Sequence, residues 1–580
     1  MRTLSICVAL AALVAAAACG PTVRSGDDDD DTVDAAADGT PGLDAPSCPT
    51  CTADGTGVVD CAGNVTTCGA GLACSAGACM SPCDAAEQTN SSVGCDYYAV
   101  DMDAATGPPQ DACFAVFVAN VSGAPVHMDM AWGGAPIDLG RWAKLPTGSG
   151  QALTYQPYDP VAGLPPGKVA VVFLAYALGL GNVACPAAIG GAAVGTEAQL
   201  SGTGIGTAFH LTTDLPVVAY QMLPYGGGAA AATGASLLLP TSVWGTNYIA
   251  VSAQDDPAPP IPLPFATGPS HNIVAAQDNT VVTIRPTSAI TAGGALPAGA
   301  AGQPYTFTLN RGQYAQLTQL GPLSGSPITA TKPIGVFGGH TIMSIDRCCG
   351  DHGEQMLAPV TALGSTYVAA PHATRKPGTD PRIFRLYGAV DGTQLTYQPP
   401  GIGPATINLG QMIELRTETP FVVSSQGPDN PFAMFTYMSG AGDAGQGGWG
   451  DPDFVRLVPP AQFLAHYVFF TDPTYPFTAL TVVRTKKDGA FADVTLDCLG
   501  TVTGWQPVGT AGDHEIAYVK LVDHWNGQNG CNTGVRTMDS AAPFGVWVWG
   551  WGSEDTSTGW VSYGYPAGEN VQVINDIIVD

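Results

Sequence analysis

The apolar positions of this chain fall in short runs that are typical of β-strands. Residues 97–100 and 114–118 are continuous apolar runs of strand length. No long stretch repeats its apolar residues every 3.6 positions, so we expect few helices. Gly and Pro, at 74 and 48 residues, are abundant between the runs. The pattern predicts a mainly β protein with many turns.

A proline followed by an aromatic residue recurs along the chain. In the first form the aromatic residue comes four positions later, in Pro216 with Tyr220, Pro333 with Phe337, Pro431 with Phe435 and Pro543 with Trp547. In the second form it comes eight positions later, in Pro240 with Tyr248, Pro359 with Tyr367 and Pro459 with Tyr467. The recurrence predicts four related β units, at residues 96–255, 256–372, 373–472 and 473–580.

Two arrangements of such units are physically reasonable. Each unit is either its own β-sandwich, strung in tandem with the others, or the units pack side by side, for example around a propeller-like ring with two blades per unit. We favour packed sandwich-like units, because about 100 residues make one β-sandwich.

Two pairs of turns resemble each other and support the repeat. Residues 277–286 and 390–399 each place an Asp-Asn or Asp-Gly turn before an alternating run that ends in proline. Residues 309–313 and 408–411 each place a Gly-Gln turn between two predicted strands.

The first 47 residues predict export and a tether. Residues 1–18 read as a signal peptide, with Arg2 before an apolar stretch too short to span a membrane. The small residues before Cys19 resemble a lipobox, and we expect a lipid on Cys19 rather than ordinary Ala-x-Ala cleavage. Residues 19–47 are rich in Asp, Ala, Gly and Pro, which predicts a solvated spacer; a Ca²⁺ site in the Asp run is the alternative.

Net charge narrows the classes of partner. The chain has 20 Lys and Arg against 48 Asp and Glu, a formal charge of −28. No basic patch is available to neutralise phosphates, so we do not expect nucleic-acid binding. We expect contact with a membrane through the lipid anchor only.

Sixteen cysteines indicate an oxidising compartment. Eight of them lie in residues 48–95 and predict a small disulfide-stapled module: Cys48, Cys51, Cys61, Cys68, Cys74, Cys79, Cys83 and Cys95. The Cys48-x-x-Cys51 spacing leaves zinc or redox chemistry as the alternative. The later disulfide candidates are Cys113, Cys185, Cys348, Cys349, Cys498 and Cys531, of which Cys498 and Cys531 are expected to bridge.

Candidate chemistry is densest in a segment near the middle of the chain. It holds His340, Cys348, Cys349, Asp351, His352 and Glu354. Zn²⁺ bound by these side chains would suit a hydrolase, but the spacing matches no standard zinc signature. We favour a structural loop, in which the cysteines pair with each other or with Cys113 or Cys185 and the polar side chains bind backbone groups.

Two further features have a functional and a structural interpretation. Asp443, Asp451 and Asp453 follow a strand and either line a Ca²⁺ site or are solvated loop carboxylates, the interpretation that we favour. Trp547, Trp549 and Trp551 share one face of a strand near Trp560; a buried or interface face is favoured over a sugar-binding platform. No catalytic residue, metal or cofactor is assigned.

Three segments resemble the amino-terminal domain of the IgGFc-binding protein family. They are residues 94–101, residues 271–286 with the DNTVVT hairpin, and residues 333–371. The third is the most specific: Cys349, Asp351-His352, Glu354-Gln355 and Pro359-Val360 resemble the family's Cys-Asp-His, Glu-Gln and Pro-Val run, with Gly350 as an insertion. The resemblance covers residues 94–470 and more loosely the rest. It implies a secreted module, and similar domains occur in bacterial lipoproteins.

These observations together predict an exported lipoprotein of the cell envelope, anchored in the outer membrane and exposed to the periplasm or the cell surface. Its β units would bind a glycan or a protein, because tandem β surfaces bind through edges and loops without a catalytic signature. The alternatives are a metal-dependent hydrolase centred on His340, His352 and Glu354, and a purely structural envelope protein.

Overall fold

Antiparallel strands make up nearly all the regular structure of this chain. The computed structural model describes residues 48–52, 55–69, 71–107, 109–177, 183–227, 231–255, 268–346, 349–376, 380–442 and 448–580. The predicted signal peptide, the proposed lipid attachment at Cys19 and the tether at residues 19–47 lie outside the described residues.

The strands follow in chain order. The amino-terminal ones are β1 (Thr50–Cys51), β2 (Gly57–Val59), β3 (Val65–Thr67), β4 (Ala73–Ser75) and β5 (Ala78–Met80). Then come β6 (Gly94–Ala99), β7 (Phe114–Asn120), β8 (Met128–Trp132), β9 (Ala135–Pro136), β10 (Ala143–Thr147), β11 (Thr154–Pro157), β12 (Val169–Ala175), β13 (Gly204–Thr207), β14 (Phe209–Leu223) and β15 (Gly234–Leu238). The next are β16 (Gly245–Ile249), β17 (Pro269–Ala275), β18 (Thr280–Ile284), β19 (Tyr305–Leu309), β20 (Gln313–Thr318), β21 (Pro327–Met343) and β22 (Asp351–Met356).

The second half of the chain continues the list. It contains β23 (Thr366–Val368), β24 (Ile383–Gly388), β25 (Thr393–Gln394), β26 (Thr396–Gln398), β27 (Thr406–Ile407), β28 (Met412–Arg416), β29 (Val422–Ser424), β30 (Phe432–Met438) and β31 (Asp453–Arg456). It ends with β32 (Leu464–Thr471), β33 (Phe477–Thr485), β34 (Val494–Leu496), β35 (Gly500–Thr501), β36 (Gln506–Val508), β37 (His514–Asp523), β38 (Asn526–Gly527), β39 (Gly534–Trp551) and β40 (Ser562–Pro566).

Helices are short within the described residues. They are α1 (Pro82–Glu87), α2 (Leu139–Trp142) and the 3-10 turns Gly150–Ala152, Thr241–Val243, Val360–Ala362, Pro460–Gln462 and Glu554–Thr556. None of these described helices has the length and apolarity that a membrane crossing requires. The predicted mainly β class is confirmed.

Disulfides staple the amino-terminal strands, as the cysteine spacing predicts. The bridges are Cys51–Cys74, Cys68–Cys79 and Cys83–Cys95, and Cys48, Cys61 and Cys349 are also disulfide-bonded. Further along, Cys113 bonds Cys185 and Cys498 bonds Cys531. Cys113 and Cys185 are therefore not partners of Cys349, which corrects one of the pairings considered from the sequence. Cys348 lies outside the described residues.

After the amino-terminal module the strands form four successive groups. The first sheet contains β6–β12, β14 and β15, and the second contains β13 and β16–β22. The third group comprises three small sheets built from β23–β31, and the fourth sheet contains β32–β40. All the strand pairs that these sheets contain are antiparallel.

The chain moves from one group to the next through similar proline turns. The turns Thr241–Val243, Val360–Ala362 and Pro460–Gln462 each follow a proline, and the strands after them join the next group. In each case a tyrosine hydroxyl accepts a backbone hydrogen bond: from Gly245 to Tyr248 at 2.9 Å, from Gly364 to Tyr367 at 3.2 Å and from Leu464 to Tyr467 at 3.0 Å. The second form of the proline–aromatic pattern therefore marks the turns between sheets. The predicted unit boundaries themselves stay predictions.

The last strand of each group lies at the centre of the molecule. Strand β15 contacts β22 and β40, and β31 also contacts both, so the four strands close a circle that we call the axial ring. All residues of these strands are buried. The closed circle agrees with the ring arrangement rather than with separately strung sandwiches.

Glutamine and serine side chains connect the strands of the axial ring. The amide of Gln355 on β22 donates to the carbonyl oxygens of Ala235 on β15 at 2.8 Å and of Gly564 on β40 at 3.0 Å. The backbone N–H of Met356 donates to the hydroxyl of Ser236 at 2.7 Å. Buried amide groups that are satisfied in this way hold one strand register against another.

The carboxyl-terminal residues run across the proline turns. Asn575 donates to the carbonyl oxygens of Val360 and Leu363 at 2.8 and 2.9 Å. Asn247 exchanges two hydrogen bonds with the backbone of Val579, at 2.8 and 2.9 Å. The tail thus binds the turn that leads into the third group and strand β16 of the second group.

Glycines allow each proline turn to pack closely on its neighbour. A Cβ atom on Gly94, Gly245 or Gly364 would lie 2.5, 2.5 or 2.4 Å from the Cβ of Pro240, Pro359 or Pro459 respectively. Real Cβ contacts are essentially never that short, so a methyl group at these positions would push the turns apart.

Replacing one of these glycines should lower stability. We expect Gly364→Ala to reduce the free energy of unfolding by about 1–3 kcal/mol, because the new methyl group overlaps Pro459. The measurement is thermal or urea unfolding followed by circular dichroism. Gly123→Ala is the matched control, since a Cβ there meets nothing within 4 Å. Equal midpoints for the two variants would show that the turns do not need this close contact.

Candidate functional site

The polar residues of the central segment lie on buried strands rather than in the predicted loop. Asp351, His352 and Glu354 are on β22, and His340 is near the end of β21, opposite Gly353. All four side chains are fully buried. Their polar sequence gives no alternation by which a strand is recognised, and the pairing of β22 with β21 decides the structure.

Direct contacts hold this cluster in place. The amide of Gln221 on β14 donates to Glu354 Oε2 at 2.6 Å, and His352 Nε2 lies 3.9 Å from the same oxygen. The hydroxyl of Ser562 on β40 donates to Asp351 Oδ2 at 3.3 Å. The cluster therefore joins the first, second and fourth sheets.

Two further carboxyl groups come from the segment that leads into β31. Asp451 Oδ1 accepts from the backbone N–H groups of Cys349 at 3.2 Å and Ala441 at 3.3 Å. Asp453 Oδ1 accepts from the N–H of Phe454 at 2.7 Å. Both side chains are buried, so they are not the solvated loop carboxylates that the sequence favoured. Asp443 lies outside the described residues.

Burial favours the protonated form of these carboxyl groups. It raises the pKa of Asp351, Glu354 and Asp453 well above the ordinary range, and neighbouring carboxyl groups add to the effect for Asp351 and Glu354. Burial also raises the pKa of Asp451 to about 7 and that of Asp101 to about 8. The interior thus favours the uncharged form of these acids.

The buried histidine beside them is neutral. Burial, followed by the nearby His340, lowers the pKa of His352 to about 3. Both ring nitrogens of His352 and one oxygen each of Asp351, Glu354 and Asp453 lack a hydrogen-bond partner among the described residues. The cluster is enclosed, and none of Asp351, His352, Glu354 and Asp453 faces solvent.

The described side chains do not form a metal site. In the described part of the chain no three His, Cys, Asp or Glu residues are grouped as a metal ion would require. The zinc alternative at His340, His352 and Glu354 and the calcium alternative at Asp451 and Asp453 gain no support from this geometry.

The tryptophan row near the carboxyl end is also interior. Trp547, Trp549 and Trp551 on β39 are buried in a core formed by the third and fourth groups, whereas Trp560 is about half exposed at 44 %. The structure has the buried face that the sequence favoured.

Open clefts lie where sheets meet. One, of about 270 Å³, is lined by Tyr98 and His210 of the first sheet and by Arg311 and Gln313 of the second; we call it the seam cleft. A second, of about 350 Å³, lies between the first and fourth sheets and is lined by Lys168, Phe470 and Arg536 among others. Sequence reasoning did not identify these lining residues as a site, because they are far apart along the chain. The sequence pattern marks Arg311 only as part of the turn at residues 309–313.

Comparison with known sequences shows the family of this chain. Residues 234–550, more than half of the chain, match the sequence family described as IgGFc binding protein. The chain belongs to this family. The matched segment begins at β15 and ends within β39, so it includes three strands of the axial ring and the whole buried cluster on β22 and β31.

The human IgGFc-binding protein is one relative of this family member. The two are 27 % identical over 279 residues, which are 47 % of this chain and 5 % of the human protein. The chain therefore spans only a small part of the length of that relative. The family resemblance seen in residues 271–286 and 333–371 lies within the matched range, whereas residues 94–101 precede it.

The buried acids should make stability fall as pH rises. A raised pKa in the folded state stabilises the protein at low pH, and this contribution is lost as pH rises through the folded value. The buried histidines act in the opposite direction, but only below about pH 6.5, where the unfolded chain begins to bind protons. Between pH 6.5 and 8.5 the raised pKa values of the buried carboxyl groups, and those of the exposed His127 and His524, act in the same direction, so the thermal midpoint should decrease.

Asp453→Asn should weaken that dependence. An amide of the same shape stays neutral at every pH, so the thermal midpoint of the variant should decrease less between pH 6.5 and 8.5. In free energy of unfolding, the loss of stability should be smaller by up to about 1 kcal/mol per pH unit. The exposed Asp429→Asn is the control and should follow the unmodified chain. A pH profile of Asp453→Asn that coincides with the control would mean that Asp453 is ionised in the folded protein.

Proposed function

We propose that this chain is an exported cell-surface protein whose β array binds a glycan or a protein ligand. The observation that carries the proposal is the contrast between the buried polar residues of the family motif and the open clefts between sheets. The motif residues that resemble catalytic groups are enclosed in the axial region, while the open clefts lie at the seams between sheets. Ligand sites are concave, with a few polar groups that fix orientation, and the clefts have this form.

Disulfides support the proposed location outside the cytoplasm, and family membership supports the proposed binding role. The described cysteines are disulfide-bonded, which indicates an extracellular or secreted protein. The name of the human relative reports binding to the Fc part of IgG. That property belongs to a much longer protein, so it enters here only as one ligand to test.

Binding is tested with the full-length chain, produced with its disulfides formed. We expect retention on a glycan array, or of a surface protein in a pull-down, above an unrelated protein of similar acidic charge. An IgG Fc fragment is a separate arm, in which retention would identify a protein ligand. Signals at the level of the acidic control in all three arms would contradict the binding function and favour a purely structural envelope role.

The proposed anchor is tested independently. We expect Cys19→Ser to move the chain from the membrane fraction to the soluble fraction, because the lipid would be the membrane attachment. Cys7→Ser, within the predicted signal peptide, is the control and should stay in the membrane fraction. If Cys19→Ser stays in the membrane fraction, and its mass shows that it has lost no lipid relative to the unmodified chain, then something other than acylation of Cys19 holds the chain at the membrane.

A further inference from the structure

The seam cleft has a rigid frame built from both sheets that border it. Strand β13 pairs with β20 of the second sheet, with Thr207 opposite Gln313, and the chain then continues directly into β14 of the first sheet. The N–H of Ala208 donates to the carbonyl of Gly312 at 2.8 Å. The floor is the His210 ring, stacked on Tyr98 with the ring centres 4.4 Å apart and the planes within 5°. The cleft is therefore formed before any ligand binds.

Arg311 is an exposed cation on the wall of this cleft. Its guanidinium makes no ion pair or hydrogen bond with any of the described residues, and its backbone N–H donates to Asp278 Oδ1 at 3.0 Å. The other wall is the turn Gly133–Gly134, where the absence of side chains leaves space. An unpaired guanidinium in a preformed cleft is unusual in a chain of net charge −28, where most described arginines are ion-paired.

The third group has an equivalent turn, residues 408–411, in which a leucine takes the position of Arg311. Asn408 and Gln411 form the same bond as Asn310 and Gln313, from backbone N–H to the amide oxygen, at 3.1 and 2.8 Å. Leu409, in the place of Arg311, also donates its N–H to an aspartate, at 3.1 Å.

The two seams differ in how tightly the turn packs. At the third group, Leu409 packs on the apolar core of the second and third groups, and a Cβ on Gly410, the equivalent of Gly312, would lie 3.0 Å from the carbonyl oxygen of Gly325. At the seam cleft, by contrast, a Cβ on Gly312 would lie 3.9 Å from the nearest atom, in the Tyr98 side chain. The same turn therefore closes one seam and leaves the other open, with an arginine in place of a leucine.

We propose that the seam cleft binds a sugar residue that carries a carboxylate, as in an acidic glycan, with Arg311 as the group that binds the carboxylate. A guanidinium pairs with a carboxylate through two parallel hydrogen bonds, and the His210 face offers a flat contact to the C–H face of a pyranose ring. Neither Asp96 nor Asp278 lines the cleft; Asp96 binds His210 Nε2 at 2.9 Å. A volume of about 270 Å³ is small for a ligand site and suits one sugar-sized group better than an extended acidic peptide.

This inference rests on the proposed binding function and is tested with the full-length chain. The probe is an oligosaccharide that ends in glucuronic acid, with its methyl ester and an acidic peptide as comparisons, and dissociation constants are measured by calorimetry. We expect the acid to bind at least about tenfold more tightly than the ester, the gain from a charge-assisted hydrogen bond.

Arg311→Leu is the decisive variant, because the equivalent turn already carries Leu409 and the backbone accepts it. We expect it to weaken binding of the acid about tenfold or more, with unchanged near-ultraviolet circular dichroism. Arg285→Leu, at another exposed arginine on the second sheet, is the matched control and should stay within about twofold.

Three results would overturn the inference. They are equal binding of the acid and the ester, equal effects of the two arginine substitutions, or binding of the acidic peptide alone. If the array and pull-down identify another ligand while the glucuronic acid probe does not bind, this inference fails and the binding function stands. If no ligand is retained in any arm, both fail.

Discussion

Close contact among four buried strands at the axis is the constraint on which the rest of this structure depends. Gly234 in β15 and Gly564 in β40 lie where a Cβ atom would be 2.6 Å from the neighbouring strands β22 and β31, and a Cβ on Gly353 in β22 would be 2.7 Å from Ala253. Without side chains at these points the backbones approach closely enough for Gln355 to connect three of the strands. The apolar cores spread outward from this centre and join the first sheet to the fourth, the second to the third and the third to the fourth.

The same closeness explains why the family's polar motif is interior. A strand at the centre of a closed array meets other strands on both faces, so its polar side chains have no water to face. Burial raises the pKa values of the acids on β22 and β31, because a protonated carboxyl group costs less to bury than a charged one. Their chemistry thus belongs to the assembly of the array, and the accessible chemistry is left at the seams.

The sheets are also held together along their periphery. Proline turns pass the chain from one group to the next, and the tail after β40 binds one of those turns through Asn575 and strand β16 through Asn247. Contacts between residues that are far apart in sequence therefore close the array at the axis and across the turns. This network leaves the seam beside Arg311 open, as a cleft of about 270 Å³.

The sequence by itself determined the class of structure and the recurring turns. Short apolar runs without helical period specify strands, clustered cysteines specify a stapled module, and the proline–tyrosine spacing marks the passages between sheets, because each of these signals is local. Only the tertiary structure decided that Asp351, His352 and Glu354 form a buried strand, since burial depends on partners such as Gln221 and Ser562. It also decided that Arg311 borders a cleft while Leu409 fills a seam. The two turns have nearly the same local sequence, and the sheet against which each one packs makes the difference.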